Sequence, residues 1–291
     1  MPGAALGAVA SLHGLAALAE THVTITPPAG WGGFGLRELW TARELLYFLT
    51  KRELQIRYKQ SAVGVSWSVL QPLAYAFIFA LFFGQLANVP SEGVPYPVFA
   101  LAALVPWLFA SQAVSQAATS LVGDANLLSK VYFPRMTLPL AKVLTFLVDL
   151  VIALAVVGAF VALYGVSPTS GLLALPLFLL LAVVTAVGAG TFLAALNVRY
   201  RDVSVISPLI TQLWLFSTPV IYPGSLVDGA WQYVYALNPM VSVVEGVRWG
   251  FVGTEAPDPA AVAISALTAA GAALCAVVYF RRTERFFADI V

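Results

Sequence analysis

A row of aromatic residues and one amide runs along an apolar segment early in the chain. The row consists of Trp67, Gln71, Tyr75, Phe79, Phe82 and Phe83. Spacings of three or four residues place such side chains on one face of a helix. A second row, also at helical spacing, consists of Ser207, Thr211, Trp214 and Thr218.

These residue types suit contact with carbohydrate. Aromatic rings offer flat faces to the C–H groups of sugar rings, while amides and hydroxyls exchange hydrogen bonds with sugar hydroxyl groups. The residues alone leave two interpretations open. The rows either serve ordinary helix packing or lipid contact, or they form the wall of a channel along which a sugar chain slides.

Asp149 is the second feature that could do chemistry, because it lies about twelve residues into a long apolar run. An intramembrane carboxylate is costly and marks a candidate functional site. Lys142 precedes it by two helical turns, about 10 Å, which is too far for direct contact. A structural partner on another helix and a proton relay both remain open, but no second acid lies at comparable depth to support a relay.

Several motifs are absent from the sequence. No GxxxxGK[ST] loop occurs, because the four lysines follow Thr, Tyr, Ser and Ala rather than Gly. There is no HExxH or GxSxG motif, and Cys275 is the only cysteine. The sequence therefore gives no support for covalent catalysis by this chain, and we expect no catalytic residue, no metal and no cofactor on it.

The composition is that of an integral membrane protein. Of the 291 residues, 60% are hydrophobic and 10% are charged, against about 25% charged in soluble domains. Mean hydropathy is +0.88. This composition excludes a soluble globular enzyme, a disordered chain and a nucleic-acid-binding domain.

Six apolar runs approach or exceed the ~20 residues that a helix needs to cross a bilayer. They cover residues 64–87, 96–122, 137–165, 171–197, 203–222 and 259–280. They do not alternate between apolar and polar residues as barrel strands do. The sequence therefore predicts an all-α membrane protein with six transmembrane helices.

Most of the 15 lysines and arginines fall on one side of these six spans. The basic residues on that side are Arg37, Arg43, Lys51, Arg52, Arg57, Lys59, Lys130, Arg135, Arg199, Arg201, Arg281, Arg282 and Arg285. The opposite side has Arg248 among several acids. By the positive-inside rule, both termini are predicted to be cytoplasmic, with the protein in the inner, or cell, membrane.

Three segments outside the spans differ from the spans in their residue pattern. Residues 1–35 read as a variable tail, and residues 41–61 as an amphipathic helix in the cytoplasmic interface. That helix is either a membrane anchor or a docking surface. The segment 231–252 is apolar but broken at Asn238–Pro239, and it predicts two short re-entrant helices at the outer face.

A series of motifs, in order along residues 36–291, carries a family resemblance. They are RELxxRYKQSxxGxxWxxLQP, NLLxKVYFPR, NVRYRD, TPVIYP, LNPM and RRTERFFADIV. The chain resembles the membrane, or permease, subunit of type-2 ABC transporters that export polysaccharides such as O-antigen, teichoic acid, capsule or galactan. The resemblance covers nearly the whole chain outside the tail.

The resemblance implies a homodimer bound to two copies of a separate ATP-binding subunit, which would hold ATP and Mg. It implies that spans one and five line the channel, which favours the channel-wall interpretation of the two rows. The residues implied to couple to the ATPase are Arg52, Asn126, Lys130, Phe133, Arg135, Arg199, Arg201 and Asp202. Those implied at an outer gate are Trp231, Tyr235, Asn238, Pro239, Glu245 and Arg248.

The expected function is export of a lipid-linked polysaccharide from the cytoplasm to the outer side of the membrane. The lipid pyrophosphate of the polymer would meet Arg52, Arg57 and Lys59, although these cations could equally contact only anionic membrane lipids. The alternatives are a type-2 ABC exporter of lipids or drugs, and a secondary transporter without an ATPase. A membrane glycosyltransferase would need an acidic or metal-binding catalytic loop, which the sequence lacks.

Overall fold

The computed structural model of the protein describes residues 36–59, 64–130, 133–284 and Phe287. Within these ranges the secondary structure is helical with no strand, which confirms the predicted all-α class. The predicted tail, residues 1–35, and the predicted end of the interface helix, residues 60–61, lie outside the described residues.

The α-helices of the described ranges are numbered here in chain order. They are α1 (Leu36–Thr41), α2 (Arg43–Lys59), α3 (Trp67–Phe79), α4 (Tyr96–Gly123), α5 (Ala125–Lys130), α6 (Thr137–Leu163), α7 (Leu175–Arg199), α8 (Val203–Phe216), α9 (Trp231–Tyr235), α10 (Pro239–Val252) and α11 (Pro259–Glu284).

Five helical segments in the described ranges are long and apolar enough to cross a membrane. They are Gly64–Leu86, Tyr96–Gly123, Thr137–Leu163, Ser170–Arg199 and Pro259–Glu284. The first combines a 3₁₀ turn, α3 and a π-helical end at Ala80–Leu86. Five of the six predicted runs thus have matching helices, whose ends agree with the prediction within a few residues.

The remaining predicted run, 203–222, is helical only from Val203 to Phe216. Fourteen residues span about 21 Å, less than the ~30 Å hydrocarbon core. Pro219 lacks an amide hydrogen and disfavours helix in the residue before it, so the run ends early. Residues 217–222 continue as turns whose carbonyls are bound by side chains from the outer segment.

Helix α4 forms the centre of the fold. In its most apolar window 83% of the residues are buried inside the protein, against 17–33% for the other four long segments. Residues 98–105 are almost fully inaccessible and join the main hydrophobic core with α6, α7 and α10. The other long helices therefore surround α4 and turn apolar faces outward, as expected where lipid is the solvent.

The outer segment folds as two helices, α9 and α10, with the break at the predicted Asn238–Pro239. The Asn238 side chain caps α10 by accepting a hydrogen bond from the Met240 amide, and Pro239 occupies the first turn. Gly253 ends α10 with a φ of 77°, a left-handed conformation that favours glycine.

Candidate functional site

An open cavity of about 900 Å³ lies between α2, α3, α4, α6 and α8. Its uncharged polar and aromatic lining residues include Trp67, Gln71, Tyr75, Phe79, Trp107, Ser111, Gln112, Gln116, Thr211 and Gln212, and its charged lining residues are Glu53, Arg57 and Lys142. This mixture of rings, amides and hydroxyls offers stacking faces and both hydrogen-bond donors and acceptors within a single space.

The predicted row on the first span contributes its first four members to this cavity: Trp67, Gln71, Tyr75 and Phe79. The rings of Tyr75 and Phe79 lie 6.3 Å apart and those of Phe79 and Phe83 lie 5.4 Å apart, both edge to face. Phe83 packs against the hydrophobic core, and Phe82 lies outside the lining. The aromatic rings of the row therefore line the cavity at its start and pack in the hydrophobic core at Phe83.

The predicted row on α8 is split between two roles. Thr211 lines the cavity, but Ser207, Trp214 and Thr218 do not. The Trp214 indole donates to Asn238 Oδ1 (2.9 Å), and the Asn238 amide donates to Thr218 Oγ1 (2.9 Å). The cavity-facing residues of α8 are Pro208, Thr211, Gln212 and Leu215.

Sequence analysis missed the contribution of α4. Trp107, Ser111, Gln112, Ser115 and Gln116 all line the cavity. The repeat of a serine–glutamine pair one helical turn apart was the available signal. It was hidden because α4 is buried on nearly all sides and therefore lacks an amphipathic pattern.

A second cavity of about 550 Å³ continues the first toward the interhelical loops. It shares Glu53, Ile56, Gln116 and Lys142 with the first cavity. Its further polar lining residues are Arg52, Thr119, Ser120, Asp124, Asn197, Arg201 and Ser204. The two cavities form a path that is charged near the loops and aromatic near the middle of the helices.

Ion pairs hold α2 against the rest of the helices. Arg52 donates to Asp124 Oδ1 at 2.6 Å, and Lys142 donates to Glu53 Oε2 at 2.6 Å. The hydrogen bond to Asp124 raises the pKa of Arg52 despite partial desolvation. Consecutive residues of α2 are thereby tied to the α4–α5 junction and to α6.

Asp149 has its partners on α2 and at the start of α3. Arg57 lies 3.1 Å from Oδ2, while the hydroxyls of Tyr58 (2.5 Å) and Ser68 donate to Oδ1. The Arg57 guanidinium also lies 4.2 Å from the centre of the Phe146 ring. Burial and the bond to Asp149 raise the pKa of Tyr58. Arg57, Tyr58 and Ser68 are therefore the structural partners of Asp149 on other helices. Lys59, the last residue of α2, is exposed.

Some of the residues implied to couple to the ATPase are exposed at the surface, and others are buried or bound to neighbouring residues. Asn126, Lys130, Arg199, Arg201 and Asp202 are exposed, with Arg199 stacked on Tyr200 at 5.3 Å. Phe133 is buried in a second hydrophobic cluster with α2 and α11 residues. Arg135 binds Glu284 through its amide (3.3 Å) and through its guanidinium.

The residues implied at the outer gate also differ in exposure. Trp231 is 71% exposed, and the hydroxyls of Tyr235 and Tyr222 lie 2.6 Å apart. Glu245 is partly buried and lines an outer pocket of about 260 Å³. The other acids of that pocket are Glu92, Asp228, Glu255 and Asp258. Among the residues that the structure describes, no three His, Cys, Asp or Glu side chains are arranged to hold a metal ion.

Arg248 is 2% exposed, lies at the outer pocket and donates hydrogen bonds to several backbone carbonyl groups. Its guanidinium donates to the carbonyls of Pro219 (2.6 Å), Val220 (2.7 Å), Tyr222 (3.1 Å) and Phe99 (3.3 Å). It also lies 3.6 Å from the centre of the Phe99 ring. Arg248 therefore fixes the non-helical segment after α8 against α4 and α10.

Comparison with known proteins gives consistent similarities. Residues 44–252 match the family described as ABC-2 type transporter. A Myxococcus xanthus protein named O-antigen export system permease protein RfbA is 33% identical over 266 residues, covering 88% of this chain and 98% of that protein. Two Klebsiella pneumoniae proteins of the same name are each 27% identical over 202 residues, covering 69% of this chain and 77% of theirs.

Proposed function

Because the chain belongs to the ABC-2 type transporter family, we propose that it is the membrane subunit of an ATP-driven exporter of polysaccharide. The relatives are named permeases of O-antigen export systems. The alternatives of a lipid or drug exporter and of a secondary transporter without an ATPase are not favoured by these similarities.

The observation that carries this proposal is the cavity lined by Trp67, Gln71, Tyr75, Trp107 and Gln112. A drug-sized ligand is typically enclosed by a mostly apolar pocket. This cavity is open and combines rings with several amides, so it suits a long hydroxyl-rich chain that must be bound weakly and released. Two copies of the chain, facing each other through α3 and α8, would close two such cavities into one channel.

ATP is hydrolysed by a separate subunit in this proposal, because the chain has no Walker A loop. Two copies of that subunit, with ATP and Mg, would dock against α2, α5 and the loop with Arg201. In this arrangement, the α4–α5 and α7–α8 loops and both termini would lie on the cytoplasmic side of the inner membrane. The lipid-linked end of the polymer would approach from that side, where the charged cavity opens.

The ion pairs of α2 give the proposed coupling a physical route. A push on α2 is transmitted through Glu53 to α6 and through Arg52 to the α4–α5 junction. These elements would move together, widening or narrowing the seam between α3 and α8. The outer helices α9 and α10 would close the far end against ion leak.

Export in living cells tests the proposal. Cells in which the Trp67→Ala/Tyr75→Ala variant replaces the natural chain should keep polysaccharide inside and show little on their surface. The variant should still co-purify with an ATP-binding subunit. Phe77→Ala is the matched control, because Phe77 lies on the same helix but is 71% exposed and outside the cavity lining. Normal surface polysaccharide in the double variant would contradict the channel-wall proposal.

A further inference from the structure

The large cavity contains one buried polar group that the protein leaves without a partner. Trp107 is 9% exposed and lines the cavity from α4. Its indole N–H has no hydrogen-bond partner in the described part of the chain. Trp214, by contrast, donates its indole N–H to Asn238 at 2.9 Å.

A buried donor without an acceptor costs free energy comparable to a lost hydrogen bond, so each case calls for an explanation. Trp has no acceptor of its own, so the N–H can be satisfied only by an oxygen or similar group that enters the cavity. The cavity is large and open enough to admit water and larger ligands. The orphan donor on its wall therefore points to a ligand that carries acceptor oxygens.

The neighbours of Trp107 indicate the class of that ligand. Ser111 and Gln112 follow it on α4, and Gln71 and Gln212 line the same cavity from α3 and α8. These groups are neutral donors and acceptors, and they accompany an aromatic ring. Neutral polar groups beside a ring face suit a sugar residue, which presents hydroxyl groups at its edge and C–H groups at its face.

We propose that Trp107 forms a sugar-binding subsite on α4, in which its indole N–H donates to an oxygen of the polysaccharide in transit. The inference rests on the proposed export function and deepens it. Because α4 is the most buried of the long helices, the subsite belongs to the core of the fold rather than to the exposed α3 and α8 faces. The indole nitrogen itself is covered in this conformation, so the contact would form when the cavity widens around the polymer.

The test removes the N–H while keeping the ring. Trp107→Phe deletes the donor, and a 3-benzothienylalanine placed at position 107 by codon suppression replaces N–H by sulfur at almost constant volume. Both should lower surface polysaccharide about threefold to tenfold, which is the loss expected for one hydrogen bond. The benzothienyl variant should keep the Tm of the natural protein, because no protein group loses a partner.

Two tryptophans provide matched controls for the same Trp→Phe change. Trp249 packs on Gly171 away from the cavity, so Trp249→Phe should leave export unchanged. Trp214→Phe should lower the Tm, because it leaves Asn238 Oδ1 without the indole donor. This second control shows that the stability measurement detects the loss of one buried indole bond.

The outcomes separate the subsite from the proposed function. Normal export with benzothienylalanine at position 107 overturns the subsite, even if the Trp67→Ala/Tyr75→Ala variant fails to export. A fall in Tm with benzothienylalanine also overturns it, since the N–H would then have a partner within the protein. If the Trp67 and Tyr75 substitutions are silent as well, the channel-wall proposal fails with the subsite.

Discussion

Asp149 shows how a partly buried charge is compensated by residues distant in the sequence. Its carboxylate pairs with Arg57 and accepts hydrogen bonds from Tyr58 and Ser68, which lie at the end of α2 and at the start of α3. Removing one member of a buried pair leaves the other without compensation, and this loss commonly exceeds what the pair contributes. The pair therefore fixes the junction of α2 and α3 against the middle of α6.

We expect Arg57→Ala and Asp149→Ala each to destabilise the protein, and the double variant to lose less than their sum. The coupling energy should be about 1–3 kcal/mol, measured from SDS-induced unfolding of the detergent-purified protein. The control is the Arg281–Glu38 pair at 2.8 Å, whose Glu38 side chain is 50% exposed. Its coupling should stay within about 0–1 kcal/mol. Equal coupling in the two pairs would contradict the structural role of Asp149.

Arg248 gives a second residue-scale prediction. Its guanidinium binds the Pro219, Val220 and Tyr222 carbonyls from a fully buried position. Arg248→Met should cost about 3 kcal/mol or more, because several buried carbonyls lose their donor together. Arg248→Lys should retain part of the stability, since an ammonium keeps the charge but not the planar fork.

The yield of monodisperse protein after extraction, together with its Tm, measures the effect at Arg248. Arg201→Met is the matched control, because Arg201 is exposed and its loss should leave the Tm nearly unchanged. An Arg248→Met protein as stable as the natural one would show that the segment after α8 does not depend on this clamp.

At the residue scale, helical spacing predicted which residues of the first span line the cavity. It could not predict which residues of other helices contact them. Trp67, Gln71 and Tyr75 share a face because of helix geometry alone, so the sequence contains that information. The partner of Asp149 could not be found this way, because Arg57 precedes it by more than ninety positions and sequence spacing says nothing about helix packing. Arg57 was predicted at lipid head groups, and its position beside Asp149 became visible only in the folded chain.

At the scale of elements, the link between α2 and α6 depends on Glu53 and Lys142. Both side chains are mostly buried, at 14% and 18% exposure, so their attraction is screened little. Glu53→Lys would place two cations together and push α2 from α6. We expect ATP hydrolysis by the partner subunit to persist while export per ATP falls several-fold.

Adding Lys142→Glu to that variant should restore part of the export. The rescue is partial because the new carboxylate at position 142 would lie near Asp124, which is now 4.0 Å from the Lys142 ammonium. Glu44→Lys, the same change at an exposed position of α2, is the control and should leave coupling intact. Equal loss in the single and double variants would contradict transmission through this pair.

Helices α8 and α4 show why the sequence predicts only in part which face of a helix lines the cavity. On α8 the sequence row contained Thr211 and Trp214, but the bond from Trp214 to Asn238 turns that ring toward the outer segment. The cavity receives Gln212 instead. On α4 the buried surroundings remove the contrast between a polar and an apolar face, so the repeated serine–glutamine pair did not identify the face that meets the cavity. In both helices, contacts with other elements decide the orientation.

For the whole molecule, the decisive question is whether α8 completes a sixth crossing. Its 14 residues cover about 21 Å, so the turns at 217–222 would have to span the rest. Their carbonyls are bound by Asn238 and Arg248, which makes non-helical backbone tolerable inside the membrane. Six crossings are also what the positive-inside rule requires for two cytoplasmic termini.

Cysteine labelling tests this topology, because α8 is the one shorter apolar helix that the described residues place between Asp202 and the outer pocket at Glu255. In a Cys275→Ser background, which removes the single natural cysteine, Glu255→Cys should react with a membrane-impermeant maleimide applied to intact cells. Asp202→Cys should react only after the membrane is opened. Both positions are exposed acids, so they differ in sidedness rather than in accessibility. Labelling of both from the same side would mean that α8 does not cross, and the channel seam between α3 and α8 would then have to be abandoned.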